Sequence, residues 1–530
     1  MYYEPIIKKS EDESNKITSY IDNLNENKLS LRKNKNARKI LRKRKYKEDH
    51  LKFNNEISKE FQFQISGFDL SFNIIISYLN SNNPDLISYC LREISIYFNS
   101  NFPNINEQKT IIEQKFLNRL LSLGNNFMEK NNINDLSNIL NILINIASFE
   151  EGNKNYLNEL YTNNYFDFFN NCIIFAENSN LKFLSLIITK ICTILTSMFK
   201  LDEKDDSFNI LILNSKVFPR ILEYHENQNI TDLESIELII ELVIYTIEFE
   251  NEEFEFSGND IKILHKCLNV LIKELYSTSN EKLLYLIYRG ISRLSILDDE
   301  YKLNKKIINE GVTIKILKMK FNKDKYTNEY YNILKYAMLI LANNLTASDK
   351  DCQIIYSQNI IDYYNNILEQ FDDEQTIVKN IFSGLSNIAV GSERNVLKES
   401  IIWQEKKILK YLSYSHYIKI YFIKIVKYLL YNSDFEIIKF IFNTRILEYF
   451  IFLFASGNEE NLILNKIIKI IDYYLSIFKK DLKETKEYLI IYHKFKELLE
   501  SSEIIILIDQ KSKLYKSISK VEKRIESNYE

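Results

Sequence analysis

The stretches LINIAS at 143–148, ANNLTA at 342–347 and LSNIAV at 385–390 nearly repeat one another, each near the end of an apolar helical run. Each contains an asparagine beside aliphatic residues, and the last two asparagines are 43 residues apart: Asn145, Asn344 and Asn387. Self-similarity at such a period is typical of helical repeat arrays. Because one repeat cannot bury its own apolar face, neighbouring repeats must stack, and side chains at one offset then form a row. The pattern predicts a row of asparagines suited to an extended peptide.

The composition favours helices throughout the chain. The sequence has 530 residues but only nine glycines and four prolines, so helix breakers and conventional linkers are scarce. A chain of this length exceeds one compact core, which also favours a stacked array. Aliphatic residues recur at steps of three and four, for example across 181–195, and the alternation typical of half-buried strands is missing. The sequence therefore predicts an all-α fold.

The cysteine distribution favours an intracellular protein. Five cysteines are scattered along the chain, none closer than twenty residues to the next, which fits a reducing compartment. The N-terminal stretch MYYEPIIKKSEDES lacks the apolar core of a secretory signal. No run approaches the eighteen uncharged apolar residues of a membrane-spanning helix. We therefore expect no membrane partner.

The residue types that carry catalysis are dispersed. The five histidines form no HExxH pattern and pair with no CxxC, and neither GxxxxGK[ST] nor GxGxxG occurs. Nine glycines leave little material for a phosphate-binding loop. The sequence predicts neither an enzyme nor a site for a metal or cofactor. The remaining alternative is an enzyme whose site is concealed by the periodicity.

Positive charge is concentrated near the N-terminus. The first fifty residues carry 14 Lys and Arg against 8 Asp and Glu, so a total charge of −3 leaves the rest of the chain clearly acidic. Ten cations without an acid occupy the sixteen positions 32–47, and such a block repels itself and cannot join a core. We interpret it as an interaction arm. Its cations are Arg32, Lys33, Lys35, Arg38, Lys39, Arg42, Lys43, Arg44, Lys45 and Lys47.

Two kinds of partner fit this arm. On a helix, its cations would surround the whole circumference, which suits a protein that encloses the helix with acidic walls. A nucleic-acid or localisation patch is the alternative, because short Lys/Arg-rich runs commonly serve either purpose. No interleaved aromatic residues accompany the run to stack on bases, which disfavours nucleic acid.

The combination resembles importin-α, the nuclear-import adaptor family. The resemblance is carried by LRKNK at 31–35 and LRKRK at 41–45, followed by a helical array with NIAS at 145–148 and LSNIAVG at 385–391. Segments 68–101, 111–149 and 283–400 resemble the first, the second, and the sixth to eighth repeats of the family. The resemblance implies a right-handed α-solenoid of armadillo repeats, found in the cytoplasm and the nucleus. It also implies importin-β as the partner of the arm and basic localisation signals as cargo.

The cargo site follows from the resemblance. In the family, an asparagine on the third helix of each repeat binds the backbone of a basic peptide, and a tryptophan four residues earlier holds a lysine stem. The matching asparagines are Asn145, Asn344 and Asn387, and Arg289 matches an arginine of the sixth repeat. The tryptophan positions hold Asn141, Ile340 and Ser383 instead. The sequence therefore favours a cargo site in repeats six to eight over one near repeats two to four. Its lysine slots have no tryptophan, and neighbouring Tyr or Phe could form some of them instead.

The predicted organisation has three parts. Residues 1–60 form the importin-β-binding arm, disordered when free; residues 61–500 form about nine to ten repeats; and residues 501–530 form an amphipathic capping helix and tail. The resemblance also implies an export receptor, although the basic C-terminal helix differs from the family's acidic end. Whether the arm competes for the groove stays open. The alternative function is a general armadillo or HEAT scaffold whose arm contacts nucleic acid.

Overall fold

A computed structural model describes most of the repeat region. The described residues are 78–100, 115–148, 163–179, 181–201, 206–227, 232–249, 256–297, 302–325, 327–346, 349–432, 435–456 and 465–470, with the single positions 76, 160, 230, 463 and 473. The predicted arm over 1–60 and the predicted capping helix over 501–530 lie outside them. Within these ranges the secondary structure is helical, with no strand, as the sequence predicts.

The chain divides into two compact units, Met1–Leu201 and Asp202–Glu530. The described helices of the first unit are α1 (Pro84–Ser100), α2 (Phe116–Glu129), α3 (Ile133–Ile146), α4 (Asn163–Glu177) and α5 (Leu181–Leu201). Those of the second unit are α6 (Ser207–Asn214), α7 (Val217–Asn227), α8 (Leu233–Ile247), α9 (Gly258–Ser277), α10 (Glu281–Ile296), α11 (Leu303–Asn309), α12 (Val312–Leu317), α13 (Asn328–Asn344), α14 (Asp349–Tyr356), α15 (Ile360–Phe371), α16 (Gln375–Val390), α17 (Glu405–Leu412), α18 (His416–Asn432), α19 (Phe435–Asn443) and α20 (Ile446–Ser456).

One helix in each repeat packs against its counterpart in the next repeat. We call these the third helices. In the first unit, α1 packs against α3 and α3 against α5. In the second unit, the packed series is α8, α10, α13, α16 and α18. The apolar sides of these helices are fully buried, as Leu294, Leu334 and Leu385 show, because each repeat covers the face that the preceding repeat leaves open.

Polar side chains fix where several third helices begin. The Asn280 side chain accepts a hydrogen bond from the backbone N–H of Leu283 at the start of α10. Thr327 caps α13 in the same way, and Asp232 caps α8. Such caps satisfy backbone donors that the first helical turn leaves without partners. They set the helix starts and, with them, the side chains that face outward.

Two glycines allow third helices to approach other helices of the second unit closely. A Cβ atom added at Gly290 would lie 2.8 Å from Leu271 Cδ1 of α9, and one added at Gly384 would lie 2.5 Å from Tyr364 Oη of α15. Neither distance leaves room for a methyl group. The five cysteines are buried free thiols.

One helix has the length and composition of a membrane span. The window Lys182–Phe199 of α5 has a mean hydropathy of 1.5, and 61% of it is buried inside the structure. A core helix of a water-soluble protein satisfies the same criteria. Its burial matches its position in the series α1, α3 and α5.

A buried contact between a histidine and a glutamate joins α7 and α9 of the second unit. His225 Nε2 of α7 lies 3.0 Å from Glu274 Oε1 of α9, and both side chains are less than a tenth exposed. The Ser277 hydroxyl donates to the other carboxylate oxygen at 2.8 Å. Burial acts to raise the pKa of Glu274, but the hydrogen bonds from His225 and Ser277 lower it below its ordinary value. The ionised carboxylate therefore stabilises the fold.

We predict that Glu274→Ala lowers the free energy of unfolding by about 3 kcal/mol, because it leaves His225 without its buried partner. A urea titration at neutral pH measures the change. Since the folded pKa is lowered, the contribution of Glu274 is present above the ordinary pKa of a glutamate. It is lost as the pH falls through the lowered folded value.

The matched control for this prediction is Glu223→Ala on α7. Glu223 pairs with Lys266 of α9 at 2.5 Å, but its side chain is 53% exposed. We expect this variant to remain within about 0.5 kcal/mol of the unaltered protein. Equal losses from the two variants would contradict the role given to burial.

Candidate interaction surface on the third helices

One side of the second unit's third helices stays open to solvent. The side chains there recur every four residues along each helix, so they form one stripe per helix. Because the helices pack side by side, the stripes form a continuous surface, which we call the third-helix face. Its members are Tyr285, Arg289 and Arg293 on α10; Lys335, Leu339 and Asn343 on α13; Lys379, Ser383 and Asn387 on α16; and Lys424 and Tyr428 on α18.

Asn387 lies on this face, as the sequence predicts. Its Nδ2 donates to the backbone oxygen of Ala342 on α13 at 2.8 Å. One repeat earlier, on α13, Asn343 Nδ2 donates to Ser295 Oγ of α10 at 2.9 Å. Each amide thus uses its donor side to tie one third helix to the preceding one. The amide oxygens remain as acceptors on the half-exposed face.

The predicted position of Asn344 on the surface is wrong. Its side chain is 0% exposed, and its Nδ2 donates to the Ile340 oxygen within α13. Asn343 occupies the surface position instead. The shared signal is Leu-x-Asn, which occurs at 341–343, 385–387 and 143–145, and it places Asn343 in line with Asn387 and Asn145.

The same shift moves the position expected to hold tryptophan. Ile340 is fully buried, so the surface residue four positions before Asn343 is Leu339. On α16 this position is Ser383, as the sequence predicts. The chain's single tryptophan, Trp403, is nearly buried and donates from Nε1 to the Leu397 oxygen at 2.7 Å. It contributes nothing to the third-helix face.

Arg289 lies on the third-helix face but is already paired. Its Nε and Nη2 donate to the two carboxylate oxygens of Glu248, at 2.7 and 2.6 Å. Glu248 follows the last residue of α8, so the pair joins neighbouring third helices. Burial acts to lower the pKa of Arg289, and Glu248 more than offsets this effect, so the pKa is raised. Arg293 lies 3.7 Å from the same carboxylate.

A row of lysines is the feature that the sequence analysis missed. Lys335, Lys379 and Lys424 occupy equivalent places on α13, α16 and α18, at intervals of 44 and 45 residues. Each ammonium lies over a tyrosine ring, at 5.2, 4.7 and 5.2 Å from the ring centre. Across the described ranges, none of the three forms an ion pair with a carboxylate.

The charges around this row are of one sign. Burial lowers the pKa of Lys335, and the cations Arg289, Lys379 and Arg293 lower it further. Farther along, burial lowers the pKa of Lys466, and Lys424, Lys427 and Lys469 lower it further. Like charges therefore lie close enough to oppose one another's protonation.

Asn145 belongs to the first unit. It is 8% exposed, and its Nδ2 donates to Asn99 Oδ1 of α1 at 3.0 Å and to the Asn141 oxygen at 2.9 Å. It therefore ties α3 to α1, much as Asn387 ties α16 to α13. Asn141, at the expected tryptophan position, is buried and accepts a hydrogen bond from Lys190 of α5.

The residues predicted to bind importin-β, from Arg32 to Lys45, lie outside the described residues. In the part of the chain that the structure does describe, no group of three or more His, Cys, Asp or Glu side chains could hold a metal ion.

Comparison with solved structures identifies the architecture. A structure of beta-catenin, from work on a phosphorylation switch in its interaction with cadherin, aligns with a TM-score of 0.55 and 12% identity. It covers 86% of this chain and 90% of that chain. Beta-catenin is an armadillo-repeat protein. This chain has the fold of an armadillo-type α-solenoid.

Other comparisons add little. An engineered protein aligns over 52% of this chain and 94% of its own, at 14% identity, but its TM-score of 0.33 is too low to support a fold assignment. No family model matches the sequence, and no curated protein matches it. The low identity to beta-catenin shows a shared fold alone.

We predict that the Arg289–Glu248 pair couples α8 to α10 by about 1.5 kcal/mol, because both side chains are less than a third exposed and the contact is bidentate. A double-mutant cycle with Arg289→Met and Glu248→Gln, followed by urea unfolding, measures this coupling. The exposed Lys323–Asp373 pair is the control, and its coupling should be much weaker because water screens the charges. Equal couplings would show that Arg289 does not hold the two helices together.

Proposed function

We propose that this protein is an adaptor whose third-helix face holds an extended segment of a second protein and whose basic arm engages importin-β. The observation that carries the first half is repetition. Equivalent side chains recur on consecutive third helices at 44 or 45 residues, as with Lys335 and Lys379, or Asn343 and Asn387. A surface with a regular repeat suits a ligand with a regular repeat, and an extended peptide has one.

The arm supports the second half of the proposal. Its ten cations in sixteen positions, with LRKNK and LRKRK, resemble the importin-β-binding segment of importin-α. An arm of this kind gains helicity when a partner encloses it. The proposal places the protein in both the cytoplasm and the nucleus, where an import adaptor works.

The resemblance implies Lys/Arg-rich localisation signals as cargo. The side-chain amide oxygens of Asn343 and Asn387 could accept hydrogen bonds from the backbone of such a peptide. Lys335 and Lys379, eight residues earlier on the same helices, would repel its basic side chains. The carboxylates of α8 offer limited compensation, because Glu248 binds Arg289 and Glu237 binds Lys282. The role of the arm does not depend on which cargo the solenoid holds.

A general scaffold with a nucleic-acid-binding arm is the second candidate. The same block of cations supports it, because a dense Lys/Arg run attracts phosphates. The two candidates differ in their response to salt. Binding to phosphates releases counterions, and this release is less favourable at high salt, so the affinity falls steeply as the salt concentration rises. A helix enclosed by a protein keeps its apolar contacts at high salt.

We predict that changing Arg38, Arg42, Lys43 and Arg44 together to Ala, in the full chain, abolishes capture by immobilised importin-β. The block would lose four cations that the enclosing acidic walls require. The control replaces four exposed lysines of the solenoid with Ala and should retain full capture; these are Lys262, Lys305, Lys350 and Lys406. Full capture by the arm variant would contradict the proposal. Loss of RNA retention alone would favour the scaffold.

A further inference from the structure

The lysine row continues beyond α18 with the period of the repeats. Lys335, Lys379, Lys424 and Lys469 follow one another at 44, 45 and 45 residues. Lys469 is exposed in the helical segment 465–470, and its charge acts on Lys466 together with that of Lys424. Four consecutive repeats, beginning with that of α13, therefore each contribute one cation at the same offset.

The field of this row is not cancelled by its surroundings. On α10, Arg289 and Arg293 both lie beside Glu248, and Lys282 pairs with Glu237. From α13 onward the described part of the third-helix face carries no compensating carboxylate. A line of half-desolvated cations attracts anions and concentrates them near the surface.

The acceptors beside the row favour a peptide over a nucleic acid. Asn343 and Asn387 use their amide donors within the solenoid, so what each presents is a carbonyl oxygen. A peptide backbone offers an N–H donor at each residue other than proline. A phosphodiester backbone offers acceptors only. A peptide thus satisfies both the cations and the amide oxygens of this face.

The repeat distance sets the spacing of the anionic groups. Packed helices lie about 8–10 Å apart. A peptide in the extended polyproline II conformation advances about 3.1 Å per residue and points every third side chain to the same side. Successive lysines therefore meet positions about three residues apart along a peptide that crosses the helices.

We infer that α13, α16 and α18 bind an extended segment of a partner protein that carries a carboxylate or phosphate at about every third residue. This inference rests on the proposed adaptor function and specifies the segment that the solenoid holds. Lys335, Lys379 and Lys424 each contact one anionic side chain. Asn343 and Asn387 lie two helical turns, about 12 Å, farther along the same helices and accept hydrogen bonds from the peptide backbone. The row is thus a binding site for an acidic segment, whose anions come either from Asp and Glu or from phosphorylated residues.

The test uses the full chain and fluorescein-labelled twelve-residue peptides. One peptide carries Glu at every third position, a second carries phosphoserine there, and a third carries Lys there. A fourth peptide has the same composition as the first, with its four glutamates consecutive. We expect the Glu or phosphoserine peptide to bind, and the spaced Glu peptide to bind better than the clustered one. The Lys peptide should not bind.

The decisive variant replaces Lys335, Lys379 and Lys424 with Met, which keeps the length of each side chain and removes its charge. We expect binding of the acidic peptides to fall about tenfold or more, since three partly desolvated charge contacts are lost. The control replaces Lys262, Lys305 and Lys406 with Met. These exposed lysines lie on α9, α11 and α17, outside the third-helix face, and this variant should bind within about twofold of the unaltered chain.

Thermal melting separates a lost site from a lost fold. Burial and, to a lesser extent, neighbouring cations disfavour the charged form of Lys335 in the folded protein, so Lys335→Met removes an unfavourable charge. The single variant should melt no lower than the unaltered chain while binding the acidic peptides more weakly. A lower melting temperature for Lys335→Met, with binding unchanged, would contradict the inference.

Three further outcomes overturn the inference. If the Lys peptide binds and the acidic peptides do not, the third-helix face binds basic localisation signals instead. Binding of single-stranded DNA, abolished by the triple variant, in the absence of peptide binding would assign the row to nucleic acid. If no peptide and no DNA binds while importin-β still captures the chain, the proposed binding of an acidic segment is wrong. The proposed role of the arm is then unaffected. If only the phosphoserine peptide binds, the inference holds and the anions are phosphates.

Discussion

Side-by-side packing of consecutive third helices is the interaction on which the rest of this structure depends. A single repeat leaves one apolar face uncovered, and the next repeat buries it, so stability comes from the contact between neighbours. Asn387 and Asn343 reinforce these contacts by donating to the preceding helix. Because the packing fixes the register of each helix against the last, residues separated by one repeat emerge on the same line. The third-helix face is a consequence of that register.

The same register produces the electrostatic character of the face. Once Lys335 and Lys379 are fixed in line, burial lowers the pKa of Lys335, and the charges of Arg289, Lys379 and Arg293 lower it further. At the α8–α10 junction, Glu248 neutralises Arg289 and so turns a cation into a structural contact. No such carboxylate follows in the described part of α13, α16 or α18. Arg289 is thus held in a structural contact by Glu248 at the end of α8, whereas the lysines of the row remain available to a ligand.

The sequence predicted the helical class correctly, because it depends on local patterns. It misplaced Asn344 by one position, since two adjacent asparagines fit the repeated motif and only helix packing decides which one is buried. The pairing of Arg289 with Glu248 could not be predicted, because the two residues are 41 positions apart and meet across a repeat boundary. The lysine row had a readable signal in its 44- and 45-residue intervals. In a chain rich in lysine, that signal has meaning only once the helix register is known.

The charge of the lysine row affects whether the basic arm could occupy the third-helix face. The arm between Arg32 and Lys47 and the third-helix face from Lys335 to Lys424 are both cationic, so each disfavours occupancy of the other. An arm that occupies a groove must resemble the cargo that the groove receives. If the groove receives an acidic segment, a basic arm cannot imitate it. Under the proposed function, the arm would then stay accessible to importin-β whether or not cargo is bound, and the anionic groups of the cargo would control its loading. Where those groups are phosphates, their addition and removal become the step that decides whether cargo is loaded.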